Sequence, residues 1–498
     1  MNLREILSGL EIVSIAGPAA PGINSIECDS RKTVPGGIFF ALRGTKLDGS
    51  QFAADALRRG ATAVASEAAK PAALPDGVTW IQLAPGTDRK ALARAAANFY
   101  GHPAAALKLI GVTGTNGKTT TTYLVDSILR AAGCTAGLIG TTGYRTPKGW
   151  RDAANTTPES LEMQRTFAEI RDAGGTHVTL EASSHALAMD RLWGCHFAVA
   201  IFTNLTRDHL DYHQTFEAYF AAKRRLFEGT GAGAPDVAVV NIDDPYGAAL
   251  QGFARTTLTY GLKVSADLTP KNLTVTSAGL KFIAQTPLGG VNVHSQLVGR
   301  MNAYNILAAM GAGIGLGISA EKIAHGIAQL AVVPGRFERI DEGQPFLVVV
   351  DYAHTDDALR NVISTARDVS PSAQVITLFG AGGERDRTKR PLMGEAAGKL
   401  SDLVVLTSDN PRSEDPLRII NDVVVGLQKV SAKYRIEPDR EQAISIAMDA
   451  AKPGDIVILA GKGHETYQVL REGPIEFDDR EKARAILRRK GYRKEESR

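Results

Sequence analysis

Short apolar runs, each the length of a buried β-strand, alternate with amphipathic stretches along most of the chain. In the first hundred residues, positions 36–42 predict a buried strand, positions 52–66 a helix followed by a strand, and positions 90–100 an Ala-rich helix. That last helix runs into Gly101-His102-Pro103, which is typical of a domain boundary.

The middle of the chain continues this alternation. A strand predicted at 107–112 leads through a Gly-rich turn into a helix predicted at 119–132. Three further strands are predicted between helices, at 177–183, 197–204 and 236–243. This order favours an α/β domain with a mostly parallel sheet. Residues 257–298 alternate apolar and polar positions and predict an antiparallel insertion, which a helix at 303–317 follows.

The last third of the chain predicts a second sheet of the same kind. Its apolar runs lie at 346–353, 374–381, 402–409 and 455–463. The helical stretches between them favour a doubly wound, Rossmann-like sheet. A second boundary is expected at Val333-Pro334-Gly335-Arg336. The sequence therefore predicts an α/β protein of three domains, with the bounds 1–104, 105–334 and 335–498.

Composition narrows the possible functions. The formal net charge is +3, from 57 basic and 54 acidic residues, which is too even to predict a nucleic-acid partner. Three widely spaced cysteines, Cys28, Cys134 and Cys195, argue against a disulfide framework or a zinc site and favour the cytoplasm. The first residues have no apolar signal core, and no run approaches the roughly 18 apolar residues of a membrane span, so we expect no membrane insertion.

The strongest local signal is GVTGTNGKTT at 111–120, where a strand leads through glycines into a helix. Glycines allow backbone N–H groups to turn toward an anion, and the amino terminus of a helix adds positive potential. Lys118 can then reach phosphate oxygens, and the Thr119 hydroxyl can contact Mg²⁺. Although Val112 stands where the common P-loop has glycine, the motif predicts a nucleotide site.

Polar clusters follow two of the predicted strands. One runs from Glu181 to His185, and the other is TNLTRDHLDYH at 203–213. Carboxylate and imidazole groups at the ends of strands favour a metal or phosphate site. For the second cluster the alternative is a polar helix start, with Thr206 or Asp208 as the N-cap.

The TGTNGKTT loop resembles the ATP loop of the Mur ligases and of their folylpolyglutamate synthetase relatives. GRMNAYN, PGRFE and DYAHTDDAL resemble further segments of the Mur ligases, and the resemblance covers nearly the whole chain. The family implies an ATP-dependent ligase that forms an amide through an acyl phosphate. It also implies a small α/β UDP-binding domain, a central P-loop-type ATPase domain and a Rossmann-like carboxyl-terminal domain. The implied ATP contacts are Gly114, Thr115, Asn116, Gly117, Lys118, Thr119, Thr120, Asn302, Arg336, Asp351 and His354.

The resemblance also implies a modified lysine in FAAKRRLF. By itself, Lys223 predicts a lysine that snorkels from an apolar helix face. In the family, CO₂ carbamylates the lysine of this motif, which turns a cation into a carboxylate-like metal ligand. The implied Mg²⁺ ligands are Thr119, Glu181, His209 and carbamylated Lys223. The implied catalytic residues are Lys118, Glu181, His209 and Lys223.

Segments of the first two domains resemble the family's site for a UDP-muramoyl dipeptide. The match is carried by CDSR, GTKLDG, NTTP and the stretch 183–191. The implied contacts are Cys28, Ser30, Thr45, Lys46, Leu47, Asn155, Thr156, Thr157, Ser183, Met189 and Arg191. Arg191 offers a fork for a carboxylate or phosphate, whereas the thioether of Met189 is a poor hydrogen-bond partner.

DNPR at 409–412 resembles the motif of family members that add meso-diaminopimelate. Diaminopimelate differs from lysine by one carboxylate at its far end, so a selective site needs a cation in fixed geometry. Arg412 supplies that cation, and Asp409 and Asn410 can receive the far ammonium group. Together with GGER and GKGHE, the implied contacts are Arg385, Asp409, Asn410, Pro411, Arg412, Gly461 and Glu465.

Four alternatives remain open at this stage. A lysine-adding relative has no reason to keep Arg412, and the UDP-type first domain argues against folylpolyglutamate synthetase. A nucleotide-switch protein needs no third domain with an amino-acid pocket, and a non-catalytic binder of nucleotide or UDP-sugar peptide needs no intact Lys118 and Lys223. We therefore expect small-molecule partners (ATP, a UDP-linked dipeptide and meso-diaminopimelate) and a monomer.

Overall fold

The amino-terminal part of the chain forms a five-stranded sheet in the computed structural model, which describes residues 1–18, 22–44, 47–72 and 77–494. Its strands are β1 (Ile12–Ala16), β2 (Ser25–Glu27), β3 (Gly37–Ala41), β4 (Ala63–Ser66) and β5 (Thr79–Leu83). Its helices are α1 (Leu3–Ile6), α2 (Ala53–Arg58) and α3 (Asp88–Phe99). The order is β1-β5-β4-β3-β2, with β1 antiparallel to β5 and the other pairs parallel. The unbroken apolar run of β3 is buried along its length because neighbours cover both faces.

The central part forms an eight-stranded sheet and a small three-stranded one. The strands of the large sheet are β6 (Lys108–Thr113), β7 (Ala136–Gly140), β8 (Gly143–Thr146), β9 (Gly149–Arg151), β10 (His177–Glu181), β11 (Val199–Phe202), β12 (Val237–Asn241) and β13 (Thr256–Tyr260). Those of the small sheet are β14 (Thr269–Thr276), β15 (Gly279–Thr286) and β16 (Gly289–Ser295). The large sheet has the order β13-β12-β11-β6-β10-β7-β8-β9 and is parallel from β13 to β7.

Helices cover this parallel sheet and connect its strands. They are α4 (Lys118–Ala131), α5 (Ser160–Asp172), α6 (Ser184–Ala188), α7 (Leu210–His213), α8 (Phe216–Glu228), α9 (Pro245–Ala248), α10 (Arg300–Gly315) and α11 (Ala320–Gln329). Helices α4, α10 and α11 pack on one another. Their apolar side chains form one core with those of β6, β11 and β12.

The predicted antiparallel insertion begins later than its sequence pattern indicates. Strands β14–β16 pair antiparallel over 269–295, as predicted. The first part of the predicted segment, at 257–262, is wrong, because β13 pairs parallel with β12 and extends the large sheet. Its alternating pattern arises because an edge strand covers the core with one face only.

The carboxyl-terminal part forms a six-stranded sheet and a separate hairpin. The sheet contains β17 (Glu338–Ile340), β18 (Leu347–Asp351), β19 (Val375–Phe379), β20 (Leu403–Leu406), β21 (Tyr434–Ile436) and β22 (Ile456–Ala460). The hairpin contains β23 (Tyr467–Leu470) and β24 (Gly473–Glu476). The helices are α12 (Asp356–Val369), α13 (Lys389–Leu400), α14 (Pro416–Lys429), α15 (Arg440–Ala450) and α16 (Asp479–Arg489). The sheet order is β17-β18-β22-β19-β20-β21, parallel except for β17.

Several predicted strands end before their predicted carboxyl limits. The predicted runs 177–183, 197–204, 402–409 and 455–463 stop at Glu181, Phe202, Leu406 and Ala460. The residues beyond these points leave the hydrogen-bond ladder and form loops. Because the carboxyl ends of parallel strands meet at one edge, these loops are where an α/β fold places a ligand.

No helix in the described ranges is long and apolar enough to cross a membrane.

Candidate active site

Two cavities lie where the carboxyl-terminal edges of the central and last sheets face each other. The first has a volume of about 510 Å³ and the second about 910 Å³. Residues that line both are Thr141, Thr156, Asp208, His209, Tyr352 and His354. The two cavities therefore meet at these six residues.

The turn between β6 and α4 forms one wall of the first cavity. Gly114 and Gly117 have φ values of 143° and 87°, which favour glycine. A Cβ atom at Gly114 would collide with the hydroxyl of Thr203. The Nζ atom of Lys118 donates hydrogen bonds of 3.0 Å and 2.8 Å to the carbonyls of Gly114 and Thr115, and burial lowers the pKa of Lys118. The predicted contacts Thr115, Asn116, Gly117, Lys118, Thr119 and Thr120 all line this cavity.

The side chains of Thr119 and Glu181 are joined at the floor of this cavity. The carboxylate of Glu181, which is 1% exposed, accepts a 3.0 Å bond from the Thr119 hydroxyl. It also accepts from the backbone N–H and the hydroxyl of Thr141, at 2.9 Å and 3.0 Å. The Nη2 atom of Arg336 donates to the Thr119 hydroxyl at 2.9 Å. Residues from the central and carboxyl-terminal parts of the chain thus meet at the Thr119 hydroxyl.

Lys223 is buried beside the same loop, so the snorkelling interpretation of its helix is wrong. Its side chain is 1% exposed, and its Nζ atom donates a 2.7 Å bond to the carbonyl of Gly114. Nζ also lies 4.4 Å from the centroid of the Tyr219 ring. Burial, together with the charge of Lys118, holds the pKa of Lys223 well below its usual range. A neutral amine is nucleophilic, so this environment suits reaction with CO₂.

His209 lies at the junction of the cavities in a left-handed backbone conformation, with φ of 54°. Burial lowers the pKa of its imidazole to about 3, so the ring is neutral and has a nitrogen lone pair for a metal. His209 itself is the N-cap of α7, without a side-chain cap, so the alternative in which Thr206 or Asp208 caps this helix is wrong.

The four predicted Mg²⁺ ligands, Thr119, Glu181, His209 and Lys223, all line the first cavity. Within the described ranges, no group of three or more His, Cys, Asp or Glu side chains could hold a metal ion. The predicted set has two side chains of these types. A carbamate on Lys223 would add the second anionic oxygen ligand, and oxygen ligands are those that Mg²⁺ prefers.

Four other predicted ATP contacts, Asn302, Arg336, Asp351 and His354, also line the first cavity, whereas Gly114 does not. Asn302 donates a 2.7 Å bond to the carbonyl of Val298. The partly buried carboxyl group of Asp351 accepts from the backbone N–H groups of Phe337 and Ala353, at 2.7 Å and 2.8 Å, and desolvation raises its pKa. The Nδ1 atom of His354 is 2.8 Å from the carbonyl of Tyr352, and burial lowers the pKa of this histidine.

The residues predicted for the muramoyl dipeptide fall into two groups. Asn155 and Thr156 line the second cavity, and Thr156 and Ser183 line the first. Thr157, Met189 and Arg191 line neither cavity. The guanidinium of Arg191 donates a 2.9 Å bond to the carbonyl of Thr157 and contacts the Met189 sulfur at 3.7 Å. The thioether therefore has a hydrogen-bond partner here.

The second group lies in the first domain, away from these cavities. Among the described residues, Cys28, Ser30 and Leu47 do not line either cavity. Leu47 is 59% exposed, and Cys28 packs against the core of the first sheet, where burial raises the pKa of its thiol to about 12. Thr45 and Lys46 lie outside the described residues.

The residues predicted for diaminopimelate gather in the second cavity. Those in its lining are Arg385, Asp409, Asn410, Arg412, Gly461 and Glu465, and Pro411 is buried beside them. Arg412 adopts a left-handed conformation, with φ of 55°, and its Nη1 atom donates a 2.7 Å bond to the carbonyl of Gly383. The amide of Asn410 donates to the carboxylate of Glu465 at 3.0 Å.

Sequence reasoning misses several residues at this site. Lys462 is fully buried, and its Nζ atom is 3.0 Å from Glu465 and 3.2 Å from the Asn410 side-chain oxygen. A lysine between two glycines, directly after a buried strand, is the signal that could have identified it. Tyr352 and His464 also line the second cavity. They belong to the DYAHTDDAL and GKGHE motifs, in which the sequence predicts contacts only for other residues.

Comparisons with known proteins agree with this arrangement. The model for the Mur ligase family, catalytic domain, matches residues 22–116. The Mur ligase middle domain matches 112–313, and the Mur ligase, glutamate ligase domain, matches 335–463. The UDP-N-acetylmuramoyl-L-alanyl-D-glutamate–2,6-diaminopimelate ligase of Solibacter usitatus (strain Ellin6076) is 55% identical over 99% of this chain and 99% of its own. The protein of that name from Geobacillus thermodenitrificans (strain NG80-2) is 45% identical over 98% and 99%.

Solved structures show the same architecture. A UDP-N-acetylmuramoyl-L-alanyl-D-glutamate–2,6-diaminopimelate ligase matches with a TM-score of 0.67 at 34% identity, over 99% of both chains. The MurF ligase of Thermotoga maritima, solved in complex with ADP, shares the fold with a TM-score of 0.62 at 20% identity, over 93% of this chain and 97% of its own. The predicted three-domain α/β architecture is thereby confirmed, and the chain belongs to the Mur ligase family.

Proposed function

We propose that this chain is an ATP-dependent ligase that joins meso-2,6-diaminopimelate to UDP-N-acetylmuramoyl-L-alanyl-D-glutamate during peptidoglycan precursor synthesis. The bond formed is an amide with the side-chain carboxylate of the D-glutamyl residue. The observation that carries the proposal is the second cavity, where the guanidinium of Arg412 lies in the same lining as the carboxyl groups of Asp409 and Glu465. A cation beside carboxylates suits the carboxylate and ammonium groups at the far end of diaminopimelate, and relatives that carry this activity in their names support it.

The two cavities suit a reaction in two steps. ATP occupies the first, with its phosphates against residues 114–120 and its ribose near Asp351. Its γ-phosphoryl group passes to the D-glutamyl carboxylate, which gives an acyl phosphate and ADP. The amine of diaminopimelate, bound in the second cavity, attacks the acyl carbon, phosphate leaves, and the new amide nitrogen loses a proton. Protein side chains orient the reactants and neutralise charge, with Lys118 and Arg336 beside the phosphates.

Mg²⁺ and a carbamate on Lys223 belong to the same proposal. Thr119, Glu181, His209 and the carbamate would hold the ion, which would neutralise charge on the phosphate oxygens. The burial of the Lys223 amine, which holds its pKa well below the usual range, supports the modification. The residues predicted for the UDP site, from Cys28 to Leu47, would bind the UDP end of the dipeptide substrate in the first domain.

The domain bounds, the location in the cell and the oligomeric state belong to the same proposal. The domain bounds 1–104, 105–334 and 335–498 place each of the three large sheets in a domain of its own. The cysteines that the structure describes are free thiols, which supports a cytoplasmic protein, where UDP-linked precursors and ATP are available. We propose a monomer, because both cavities are built from one chain.

Product formation tests this proposal. Purified protein is incubated with ATP, Mg²⁺ and UDP-N-acetylmuramoyl-L-alanyl-D-glutamate, with meso-diaminopimelate, L-lysine or no amine. Phosphate release and the mass of the product are measured. We expect phosphate release and the tripeptide only with diaminopimelate. Turnover with lysine alone would contradict the proposed substrate, and no amide with either amine would contradict the ligase.

Arg412→Lys separates the amino-acid pocket from the nucleotide site. Lysine keeps the charge but loses the planar fork that can bind a carboxylate with two hydrogen bonds. We expect the KM for diaminopimelate to rise by about tenfold or more, since a charged hydrogen-bonded pair contributes about 1.5–3 kcal/mol, while the KM for ATP stays within about twofold. Equal rises in both constants would contradict the assignment of Arg412.

A further inference from the structure

The amino-acid pocket is built from two loops that do not follow neighbouring strands. The DNPR loop follows β20 and the GKGHE loop follows β22, while β19 lies between these strands in the sheet. No ladder of backbone hydrogen bonds therefore joins the two loops directly. Side-chain hydrogen bonds join them instead, from Asn410 to Glu465 and from Lys462 to Asn410.

One buried side chain contacts the base of both loops. Arg440 is the first residue of α15, and its guanidinium is fully buried beneath the pocket. Its Nη2 atom donates a 2.9 Å bond to the carbonyl of Ala460, and its Nη1 atom a 3.3 Å bond to the carbonyl of Ser408. Ala460 directly precedes Gly461, and Ser408 directly precedes Asp409. The guanidinium thus spans the end of β19 and joins the last residues before both loops.

Asp479 fixes the orientation of that guanidinium. Its two carboxylate oxygens accept bonds of 2.8 Å and 2.6 Å from Nε and Nη2 of Arg440, and both side chains are fully buried. Asp479 begins α16, so the pair also joins the amino-terminal turns of α15 and α16. A buried ion pair contributes little net stability, because desolvation offsets the attraction of the charges. Its main effect here is to hold the Arg440 guanidinium in the orientation that contacts both carbonyls.

The cavity side of the two loops has its own contacts. The side-chain amide of Gln468 donates a 2.7 Å bond to the carbonyl of Asp409, and Asn410 donates to Glu465. The Asn410–Glu465 bond joins the two loops above the sheet, the Gln468 bond joins the DNPR loop to β23, and Arg440 joins the two loops from below. The charge of Arg440 also acts on the carboxylates of Asp409 and Glu465. The pocket is therefore held from both sides.

We propose that Arg440 and Asp479 are positioning residues that set the separation of the DNPR and GKGHE loops, and so the fit of the pocket to diaminopimelate. This inference rests on the proposed function. Arg440 does not line the pocket and acts through the backbone of Ser408 and Ala460. Its loss should therefore weaken the binding of the amino acid and leave the nucleotide cavity, built on other loops, unchanged.

Two variants test the proposal. Arg440→Lys keeps the charge but cannot contact two carbonyls and a carboxylate in one plane, and Asp479→Asn keeps the shape but removes the ion pair. Arg367→Lys is the matched control. Arg367 donates to the carbonyls of Leu400 and Ala373 and pairs with Asp402, at the amino-terminal end of the same sheet.

Steady-state KM values for diaminopimelate and ATP are measured for each folded protein, together with kcat and the thermal midpoint. We expect the KM for diaminopimelate to rise about tenfold or more in Arg440→Lys and Asp479→Asn, because misplacement by about 1 Å can change rates a hundredfold. The KM for ATP should stay within about twofold, and Arg367→Lys should change neither constant by more than about twofold.

Three results would overturn the inference. One is an unchanged KM for diaminopimelate in both variants, and another is an equal rise in the KM for ATP. If neither variant folds, amide hydrogen exchange of the wild-type chain tests the inference instead. We expect residues 409–412 and 461–465 to open as one unit. Independent opening of the two loops is the third result that would overturn the inference. Wild-type protein without diaminopimelate-dependent turnover would contradict the proposed function itself.

Discussion

At the scale of single residues, two lysines compete for one carbonyl. Lys118 and Lys223 both donate to the carbonyl oxygen of Gly114, at 3.0 Å and 2.7 Å. Two ammonium groups that share one acceptor repel each other in a buried setting, and this repulsion helps to lower the pKa of Lys223. A carbamate on Lys223 would go further, because it would place a negative charge beside Lys118.

Lys223→Ala should therefore abolish ligation. We expect kcat to fall at least about a hundredfold, as when a charge-stabilising group is lost from an active site, with partial recovery when formate or acetate is added. Carbon-13 NMR of wild-type protein in labelled bicarbonate should show a carbamate signal that the variant lacks. The control is Arg224→Ala, the next residue, whose half-exposed side chain pairs with Glu228 on the helix surface. Wild-type turnover in Lys223→Ala would contradict the carbamate.

At the scale of elements, the unit of strand β6, loop and helix α4 depends on close backbone approach. Gly114 faces the Thr203 hydroxyl, which donates a 2.6 Å bond to the carbonyl of Asn116, and Gly117 faces Asn305. The loop can follow this path only without side chains at the two glycines. The residue that follows strand β11 and a residue of helix α10 thus constrain the shape of this loop.

Gly114→Ala tests that dependence. The added methyl group would collide with Thr203 and displace the loop, so we expect the KM for ATP to rise at least about tenfold, within the range that small misplacements in an active site cause. Gly133→Ala is the control, because Gly133 has φ of 82° and nothing within 4 Å of an added Cβ. Alanine there carries the strain of a positive φ, about 1–2 kcal/mol, without the collision. Equal effects of the two substitutions would show that strain, rather than the collision, is responsible.

At the scale of the whole molecule, the central and last domains meet through a few polar contacts. Asn116 of the phosphate loop donates a 2.7 Å bond to Asp357 of α12. His464 of the GKGHE loop contacts the carbonyl of Thr141 through Nε2 at 3.1 Å. These contacts join the proposed nucleotide and amino-acid sites, so we expect closure of the domains to complete the site.

The His464 contact should make stability dependent on pH. Burial, with the nearby charge of Arg336, lowers the pKa of His464 from 6.5 to about 3. The unfolded chain therefore binds this proton more readily than the folded chain. The contribution of neutral His464 to the free energy of unfolding is fully present above about pH 6.5 and is lost as the pH falls toward 3.

We expect the thermal midpoint to fall between pH 7.5 and 5, as about one proton is taken up on unfolding, and to fall less in His464→Gln. His196→Gln, at a position where the side chain is 47% exposed, is the control and should follow the wild type. The same pH dependence in His464→Gln and the wild type would contradict a role for this group.

The sequence by itself determined the class and order of the elements. Apolar runs such as Gly37–Ala41 and Ile456–Ala460 are buried on both faces, so their pattern needs no knowledge of neighbours. Motifs such as TGTNGKTT and DNPR also indicated chemistry, because their local backbone and charge suit phosphate and carboxylate groups. The position of the antiparallel insertion was partly wrong, since β13 shows the alternation of an edge strand whichever way it pairs.

Only the tertiary structure decided which side chains face one another across long sequence separations. Packing between distant elements buries Lys223 and brings Arg336 to Thr119. It also brings Arg440 into hydrogen-bond contact with the residues before both loops. A helical pattern predicts the same apolar face for a buried and a snorkelling lysine. The two cases differ in whether other residues pack over that face. For Lys223 these residues come from segments far away in sequence, such as the loop that contains Gly114.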